Sequence, residues 1–492
     1  RSAAYAQLAG LSIAEKDYKK AITYALKSLD YNTRNMDAIQ ELLVCYRYLK
    51  RPVEAGRLIA ETLEGTPLNH IIRYEAYIQN PSERAKYDFK SLISNELPHE
   101  TYLEMALWYA DKGCIDEAIE LCSFAQNYPI AGYTRAFLLH QKGLDDLALE
   151  ALEATEALSP NMVFPFRPES LKALEWADSI QSSWKTKYYQ ALIYYKNCNK
   201  EKAITLLNQC DNADYAPLYL TRALLKENNE CLNDLRRAEE IEQSWRVGVA
   251  LINYFMYQNE WKEANSIADK YYKKYPKNYV VGLKYARTLC ENGQYSKSIA
   301  LLKNIQVLPN EGASAGRNVY RDSYLYQAIN EIHSKRFSKA LKAIEGSKIW
   351  LENLGVGKPY EDQIDYRLEN FLEALATPHP TAKRDSLFQA VVNDSNPAPK
   401  SFNSNELLSV LALHKLGKET EANQQIDNWM RLYPDNQLVK WCIAAYKGDS
   451  SDADKLLQLR NASTNEIPWE TSGNDRNFDL ITKLIKLMAI AK

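Results

Sequence analysis

Apolar residues in this chain recur at the three- and four-residue spacing of amphipathic helices, and the helical segments come in pairs. The pattern is clearest in residues 245–309, where Trp261 and Tyr295 open two second helices 34 positions apart. Ala21 and Ala55 show the same 34-residue step near the start of the chain. A period of this length in a helical sequence is typical of stacked helical hairpins. We therefore expect an all-α solenoid built from antiparallel helix pairs.

Further helix pairs are predicted on both sides of this stretch. They cover residues 5–31, 102–128, 133–160, 184–238, 320–347 and 405–434. The last helix, 478–491, carries an apolar stripe at Leu480, Ile481, Leu484, Leu487 and Met488. Because a solenoid needs its end repeats covered, we expect this helix to cap the open end of the last pair.

The helical repeat pattern is interrupted at two places, and these interruptions divide the chain into segments. Proline-rich sequence from Pro160 to Pro168 forbids a continued helix. Irregular sequence also follows Trp350. The predicted segments are N-terminal hairpins in 1–160, a proline and aromatic insertion in 161–183, central repeats in 184–347, irregular helices and a linker in 348–402, and C-terminal repeats with a capping helix in 403–492.

These features resemble the tetratricopeptide repeat family over about three-quarters of the chain. The resemblance is carried by Gly113, Gly143, Gly293 and Gly417 at turns, by Ala21, Ala55, Ala118, Ala148, Ala203, Ala264, Ala340 and Ala422 on second helices, and by Pro67, Pro160, Pro276, Pro309 and Pro434 at repeat ends. It implies a right-handed superhelical solenoid with irregular insertions. It also implies that the first helix of each pair lines a concave, partner-binding face.

A narrower resemblance attaches to the irregular segments. It is carried by N-M-V-F-P-F-R-P-E-S from Asn161, S-W-K-T-K-Y-Y-Q from Ser183, D-Y-A-P-L-Y-L-T-R-A from Asp214, L-P-N-E-G-A from Leu308 and E-N-L-G-V-G-K-P-Y from Glu352. These segments are similar to the C-terminal repeat regions of large bacterial proteins that begin with a mutarotase-like β-sandwich of unassigned function. The resemblance implies a bacterial, cytoplasmic or periplasmic protein, an upstream domain and a carbohydrate-related context.

Composition narrows the classes of partner. A net charge of −2 gives no general attraction to nucleic acid or anionic membranes, and no apolar run is long enough to insert into a membrane. The chain opens on a helical pattern at Arg1 without a Met or signal peptide, so we expect a fragment or a processed product. The eight cysteines are scattered, and free thiols are expected, with a Cys198–Cys210 disulfide left open.

The sequence contains partial matches to two catalytic motifs, but both lack residues or flanking elements that the motifs require. Gly312 to Gly316 spells G-x-S-x-G around Ser314, but a nucleophile elbow needs a preceding strand, and helical repeats surround this one. The sequence before Lys358 lacks the first glycine of a phosphate loop, and Pro359 replaces the required Ser or Thr. The six histidines are far apart. We expect no catalytic residue, cofactor or metal site, while Lys358 and Tyr360 are candidate contacts for an anionic or sugar ligand.

Recognition is therefore the expected function. The candidate surface comprises Phe164, Phe166, Arg167 and Trp176 in the insertion, Tyr188, Leu192, Tyr195, Asn253, Met256, Tyr257, Leu283 and Arg287 on first helices, and Arg317, Lys358 and Tyr360 in or beside later irregular segments. The alternative is that the aromatic residues only complete the core. We predict a non-catalytic scaffold for a protein or peptide, or for its own upstream domain. The second hypothesis is an accessory region that contacts sugar through the inserted loops.

Overall fold

The computed structural model of this chain is helical throughout the part it describes. That part comprises residues 1–210, 212–226, 230–310, 313–377, 381–396, 399, 402–449, 452–456, 475 and 477–490. No strand occurs within these ranges. The prediction of an all-α, tetratricopeptide-like solenoid is confirmed. The helices form two compact units, Arg1–Glu227 and Asn228–Lys492.

Unit 1 contains five regular helix pairs, an insertion and a further pair with one more helix. The pairs before the insertion are α1 Ser2–Ala14, α2 Tyr18–Tyr31, α3 Met36–Tyr48, α4 Pro52–Gly65, α5 His70–Gln79, α6 Glu83–Ser91, α7 Pro98–Asp111, α8 Ile115–Phe124, α9 Pro129–Gln141 and α10 Asp145–Glu156. The insertion holds the 3-10 turn Pro168–Ser170 and α11 Leu171–Ile180. It is followed by α12 Trp184–Lys196, α13 Lys200–Leu207 and α14 Ala216–Leu225.

Unit 2 repeats the same hairpin construction. Its helices are α15 Glu230–Ile241, α16 Trp245–Tyr257, α17 Trp261–Lys274, α18 Tyr279–Glu291, α19 Tyr295–Leu302, α20 Ala315–His333, α21 Phe337–Ser347, α22 Arg367–Ala376, α23 Ala382–Asn393, α24 Asn405–Lys415, α25 Glu419–Leu432, α26 Gln437–Lys447 and α27 Phe478–Ile490. The 3-10 turns Glu352–Leu354 and Glu361–Gln363 separate α21 from α22. Helices α17 and α19 begin at Trp261 and Tyr295, the two positions that define the 34-residue period.

Local sequence sets the ends of these helices. The Asp17 side chain accepts a hydrogen bond from the Lys20 amide at 3.0 Å and caps α2, and Asn278 caps α18 in the same way. The turn between α7 and α8 passes through Gly113 at φ +71°, a left-handed conformation that glycine adopts without steric cost. Lys16 takes the equivalent place between α1 and α2 at φ 61°. Short turns of this kind keep the two helices of a pair antiparallel.

Small buried residues allow the helices to approach. Ala21, Ala55 and Ala264 have no exposed surface, as expected for alanines at a helix crossing. First helices of consecutive pairs also pack against each other, as α1 does on α3 and α18 on α20. We call the face formed by the first helices the inner face of each unit.

Helix α27 lies on the inner face of unit 2. Phe478 contacts Trp441 of α26 with ring centroids 4.6 Å apart, and the Lys483 ammonium donates to the Tyr295 hydroxyl at 2.6 Å. Ile481 and Leu484 are buried in the same core as α20, α22 and α24. The helix therefore contacts α26, as expected of a helix that covers the last repeats, and it also packs on α20, earlier in the unit.

Candidate functional site

Four predicted surface residues are buried, and for these the expectation of an exposed contact is wrong. Tyr188 packs on Tyr215, with ring centroids 5.8 Å apart, and Met256 continues the buried stripe of α16 one turn after Ile252. Arg287 pairs with carboxylates on its own and the next first helix, and the Arg317 guanidinium donates to the Ser347 carbonyl at 2.7 Å. Neighbouring repeats cover each of these side chains.

The remaining candidates are divided between the two units. Tyr195 is exposed in unit 1, whereas Tyr257, Lys358 and Tyr360 are exposed in unit 2. Asn253 is half-buried in unit 2. Leu192 and Leu283 are half-buried as well, one in each unit. Among the candidates of the insertion, Phe164 and Phe166 are exposed, and Arg167 follows them in the same loop.

The insertion is fastened to the inner face of unit 1. Arg167 forms ion pairs with Glu100 and with Glu104 of α7, the latter at 3.2 Å. The Asn197 amide, just after α12, donates to the Phe166 carbonyl at 3.4 Å. Within the insertion Trp176 of α11 stacks on His140 of α9, with ring centroids 5.2 Å apart. These contacts hold the loop before Arg167 in place while α11 packs between α9 and α12.

The fastened loop presents an apolar patch, which we define as Met162, Phe164 and Phe166. Their exposed fractions are 72 %, 59 % and 43 %. Met162 adopts φ 60°, a conformation that is uncommon for a side chain of this size. The Arg167 guanidinium lies 4.3 Å from the centre of the Phe166 ring. Exposed apolar side chains grouped in one loop beside a charged side chain are typical of an interaction site.

Helix α7 carries a row of acidic and aromatic side chains away from the patch. Glu100, Glu104, Trp108 and Asp111 follow at four-, four- and three-residue steps, which places them on one face of the helix. Glu104 and Asp111 are exposed. The row joins the Arg167 ion pairs at one end of α7 to a cavity at the other.

That cavity, which we call the acidic pocket, lies between α1, α3 and the end of α7 and has a volume of about 450 Å³. Its polar and aromatic walls are formed by Asp37 and Glu41 of α3 and by Trp108, Asp111 and Lys112. Glu41 is 3 % exposed, and burial raises the pKa of its carboxyl to about 8, although Lys112 opposes the shift. Its Oε2 atom has no hydrogen-bond partner within the described part of the chain.

Sequence reasoning missed this pocket. Glu41 occupies the apolar run of α3 beside Leu42 and Leu43, and a charged residue within such a run was an available signal. The pocket also depends on Gly10, since a Cβ there would lie 2.8 Å from a Glu41 carboxylate oxygen. That Lys112 meets α1 is a tertiary contact that no local pattern reveals.

Ser314 directly precedes helix α20, and Gly312 of the G-x-S-x-G motif lies outside the described residues. No cluster of three or more His, Cys, Asp or Glu side chains suited to a metal ion occurs in the described ranges. The eight cysteines all lie in described residues and form no disulfide with one another; Cys198 is exposed and Cys210 is buried. No described helix is both long and apolar enough to cross a membrane.

The chain is similar to solved repeat structures at low identity. No family model and no curated protein matches it. A tetratricopeptide repeat protein from Parabacteroides merdae is 14 % identical, covering 56 % of this chain and 98 % of its own, with a TM-score of 0.26. Yeast Tom70 is 13 % identical, covering 94 % and 99 %, with a TM-score of 0.29. Naa15/Naa10 bound to HypK-THB is 13 % identical, covering 100 % and 97 %, with a TM-score of 0.27.

Proposed function

We propose that this chain is a non-catalytic scaffold that binds an extended segment of a partner protein on the inner face of unit 1. The observation that carries the proposal is the apolar patch, in which two phenylalanines and a methionine are 43–72 % exposed. The Arg167 ion pairs to Glu100 and Glu104 fix the loop beside it. A preformed surface loses little conformational entropy on binding.

The charge around the patch favours a protein ligand over a nucleic acid. The α7 row contributes Glu104 and Asp111, and Asp37 lies at the rim of the acidic pocket. Carboxylates repel phosphate groups, whereas an apolar patch followed by an acidic row complements a peptide with apolar and basic side chains. Unit 1 is favoured over unit 2 because α27 already covers the inner face of unit 2.

The patch is large enough to contribute measurably to affinity. Complete burial of a Phe or Met side chain contributes about 1.5–3 kcal/mol, so that removal of both rings should weaken binding by at least about tenfold. The rest of the segment would follow the α7 row. From Glu104 to Asp111 the helix rises by about 10 Å, roughly the span of three extended residues.

The test is selection of 12-residue peptides from a random library on the purified chain, followed by calorimetry of the enriched sequences. We expect enriched peptides to contain aromatic or large aliphatic residues and to lose at least tenfold in affinity for the double variant Phe164→Ser, Phe166→Ser. Val53→Ser is the control, since Val53 is an exposed apolar residue of α4, a second helix.

Several outcomes would contradict the proposal. Failure to enrich any peptide, or equal affinity for the wild type and the double variant, would exclude the patch as a peptide site. Binding on a glycan array that is lost in the double variant would favour the sugar-contacting hypothesis instead. A longer chain whose own upstream domain protects the patch from solvent would show that the partner segment is intramolecular. Circular dichroism of each variant checks that the helices are retained.

A further inference from the structure

We infer that the acidic pocket is a binding site for the guanidinium group of an arginine side chain. The inference extends the proposed function, because it names a residue that the partner segment should carry beside its apolar contacts. The pocket lies at the far end of the α7 row from the patch. The two sites are therefore separable by mutation.

The pocket contains a buried hydrogen-bond acceptor that the protein leaves unused. Glu41 lines the cavity, and its Oε2 atom has no hydrogen-bond partner among the described residues. A buried carboxyl oxygen without a partner costs free energy, and a donor from a ligand would remove that cost. The Glu41 side chain can occupy this position because residue 10 is a glycine. A Cβ at Gly10 would lie 2.8 Å from the Glu41 Oε1 atom.

The charges of the pocket favour a cation. Three acidic side chains, those of Asp37, Glu41 and Asp111, line it together with a single ammonium, and a bound cation would favour the charged form of Glu41. That ammonium, on Lys112, lies over the Trp108 ring at 4.1 Å and stands 3.9 Å from Glu41 and 4.0 Å from Asp111. Both separations exceed hydrogen-bond distance, so Lys112 offsets charge without occupying the acceptors.

The spread of the acceptors favours a guanidinium over a metal ion. Asp37 and Glu41 follow one another by a turn of α3, while Asp111 belongs to α7. The described residues here are not close enough to form a metal-binding cluster. A guanidinium is wider, presents five donors in a planar fork and can bridge separated carboxylates. Its apolar stem would lie against Leu11 and Ala6, which also line the cavity.

Occupation of the pocket should be linked to a proton. In the empty pocket the raised pKa of Glu41, about 8, keeps this carboxyl mostly protonated at pH 7. A bound guanidinium favours the charged form and lowers that pKa. The other groups facing Glu41 are Asp111 at the end of α7, Lys112 directly after it, and Asp37 and Cys45 of α3. Arginine binding should therefore release a proton below pH 8 and strengthen as the pH rises from 6 to 8.5.

The test uses Nα-acetyl-arginine amide as the probe and its citrulline analogue as the neutral control. Titration calorimetry with the whole chain should show at least tenfold weaker binding of citrulline, and at least tenfold weaker binding of arginine to Glu41→Gln. Asp146→Asn, an exposed acidic residue of α10, should bind as the wild type does. Repeating the wild-type titration at pH 7 in phosphate and in Tris should reveal proton release that Glu41→Gln lacks.

Each result bears on one site or the other. Equal binding of arginine and citrulline, or full binding by Glu41→Gln, would overturn the inference. If Glu41→Gln fails to fold, the rim variants Asp37→Asn and Asp111→Asn should each weaken arginine binding about threefold, and unchanged affinity in both would overturn it. Arginine binding that disappears only in the Phe164→Ser, Phe166→Ser variant would assign the cation to the patch. If arginine still binds but no peptide does, the inference about the acidic pocket stands. The proposed scaffold function would then be excluded.

Discussion

At the scale of residues, unit 1 and unit 2 both place charged side chains in their interiors. Arg47 donates to both carboxylate oxygens of Glu75, at 2.9 and 3.2 Å, and Arg321 makes a similar bidentate pair with Glu369. Pairs like these keep buried charges satisfied. Glu41 differs, because its one cationic neighbour lies beyond hydrogen-bond distance. It is therefore a residue whose protonation should respond to pH.

Glu41→Gln should change how stability depends on pH. The folded pKa of about 8 lies above the ordinary value of 4.5, so the folded chain binds the extra proton between these limits. The free energy of unfolding of the wild type should fall, relative to that of the variant, as pH rises from about 5 to 8. The expected slope is at most about 1.4 kcal/mol per pH unit, and it should flatten above pH 8.

Thermal unfolding of both chains at intervals from pH 5 to 9 measures this difference, and the comparison cancels groups that the two chains share. Parallel curves across the whole range would contradict the assigned pKa. Glu64→Gln, at an exposed position of α4, should give the parallel behaviour.

Gly248→Ala should destabilise unit 2 strongly. A Cβ at Gly248 would lie 2.3 Å from the ring of Tyr271, and that ring is fully buried between α16 and its neighbours. Moving it would also disturb the hydroxyl that donates to Glu239 at 3.0 Å. We expect a loss of about 2–4 kcal/mol, in the range of core overpacking combined with a broken buried contact.

The control is Gly56→Ala, at a helical position of α4 with no neighbouring atom within 4 Å. There alanine should stabilise by about 0.5–1 kcal/mol, because it restricts the unfolded chain and favours helix. Chemical denaturation followed by circular dichroism gives both values. Similar effects of the two substitutions would show that α16 and α17 are not packed as described.

At the scale of elements, the sequence predicted where the helices lie but not which surfaces of the helices pack against each other. The 34-residue period paired Trp261 with Tyr295, and α17 and α19 begin at these two residues, because apolar spacing and turn chemistry are local. The face of each helix that stays exposed was harder to predict. Arg287 was assigned to an open inner face, but Asp322 of α20 binds it and the inner face of unit 2 is filled. Which surfaces meet is decided by contacts between distant segments, such as Arg321 with Asn477.

Helix α27 should be required for the stability of unit 2. Ile481 has no exposed surface, and Ile481→Asp would place an unpaired carboxylate in the shared core of α20, α22 and α24. We expect a loss of about 3–5 kcal/mol. Hydrogen exchange should then increase in α20, which contacts α27, and in α22, which shares the same core.

The matched control is Lys486→Ala on the same helix, since the Lys486 side chain is more than half exposed and pairs only with Asp454 at 3.1 Å among described residues. Its effect should stay within about 0.5 kcal/mol. Unchanged exchange in α20 with Ile481→Asp would mean that α27 is not a structural part of unit 2.

At the scale of the molecule, both units are built from helix pairs, but their inner faces differ. Unit 1 leaves an apolar patch and an acidic pocket on its inner face, whereas unit 2 fills its inner face with α27. The sequence indicated the solenoid and the insertion around Phe164 and Phe166. It did not indicate the pocket, because Gly10, Glu41 and Lys112 come together only when α1 and α7 meet. The proposed function therefore depends on the uncovered inner face of unit 1 and not on the repeats themselves.

The position of α27 also bears on biosynthesis. Phe478 follows Glu406 of α24 by 72 residues, so the ribosome delivers the first helices of unit 2 well before the helix that covers them. At about 5–20 residues per second the interval is roughly 4–14 s. During that time the first helices of unit 2 would lack the apolar side chains of α27, and Arg321 would lack its contact with Asn477. This uncovered face is the surface that a ribosome-associated chaperone would meet, and a message truncated before Phe478 would leave it permanently uncovered for quality-control proteases.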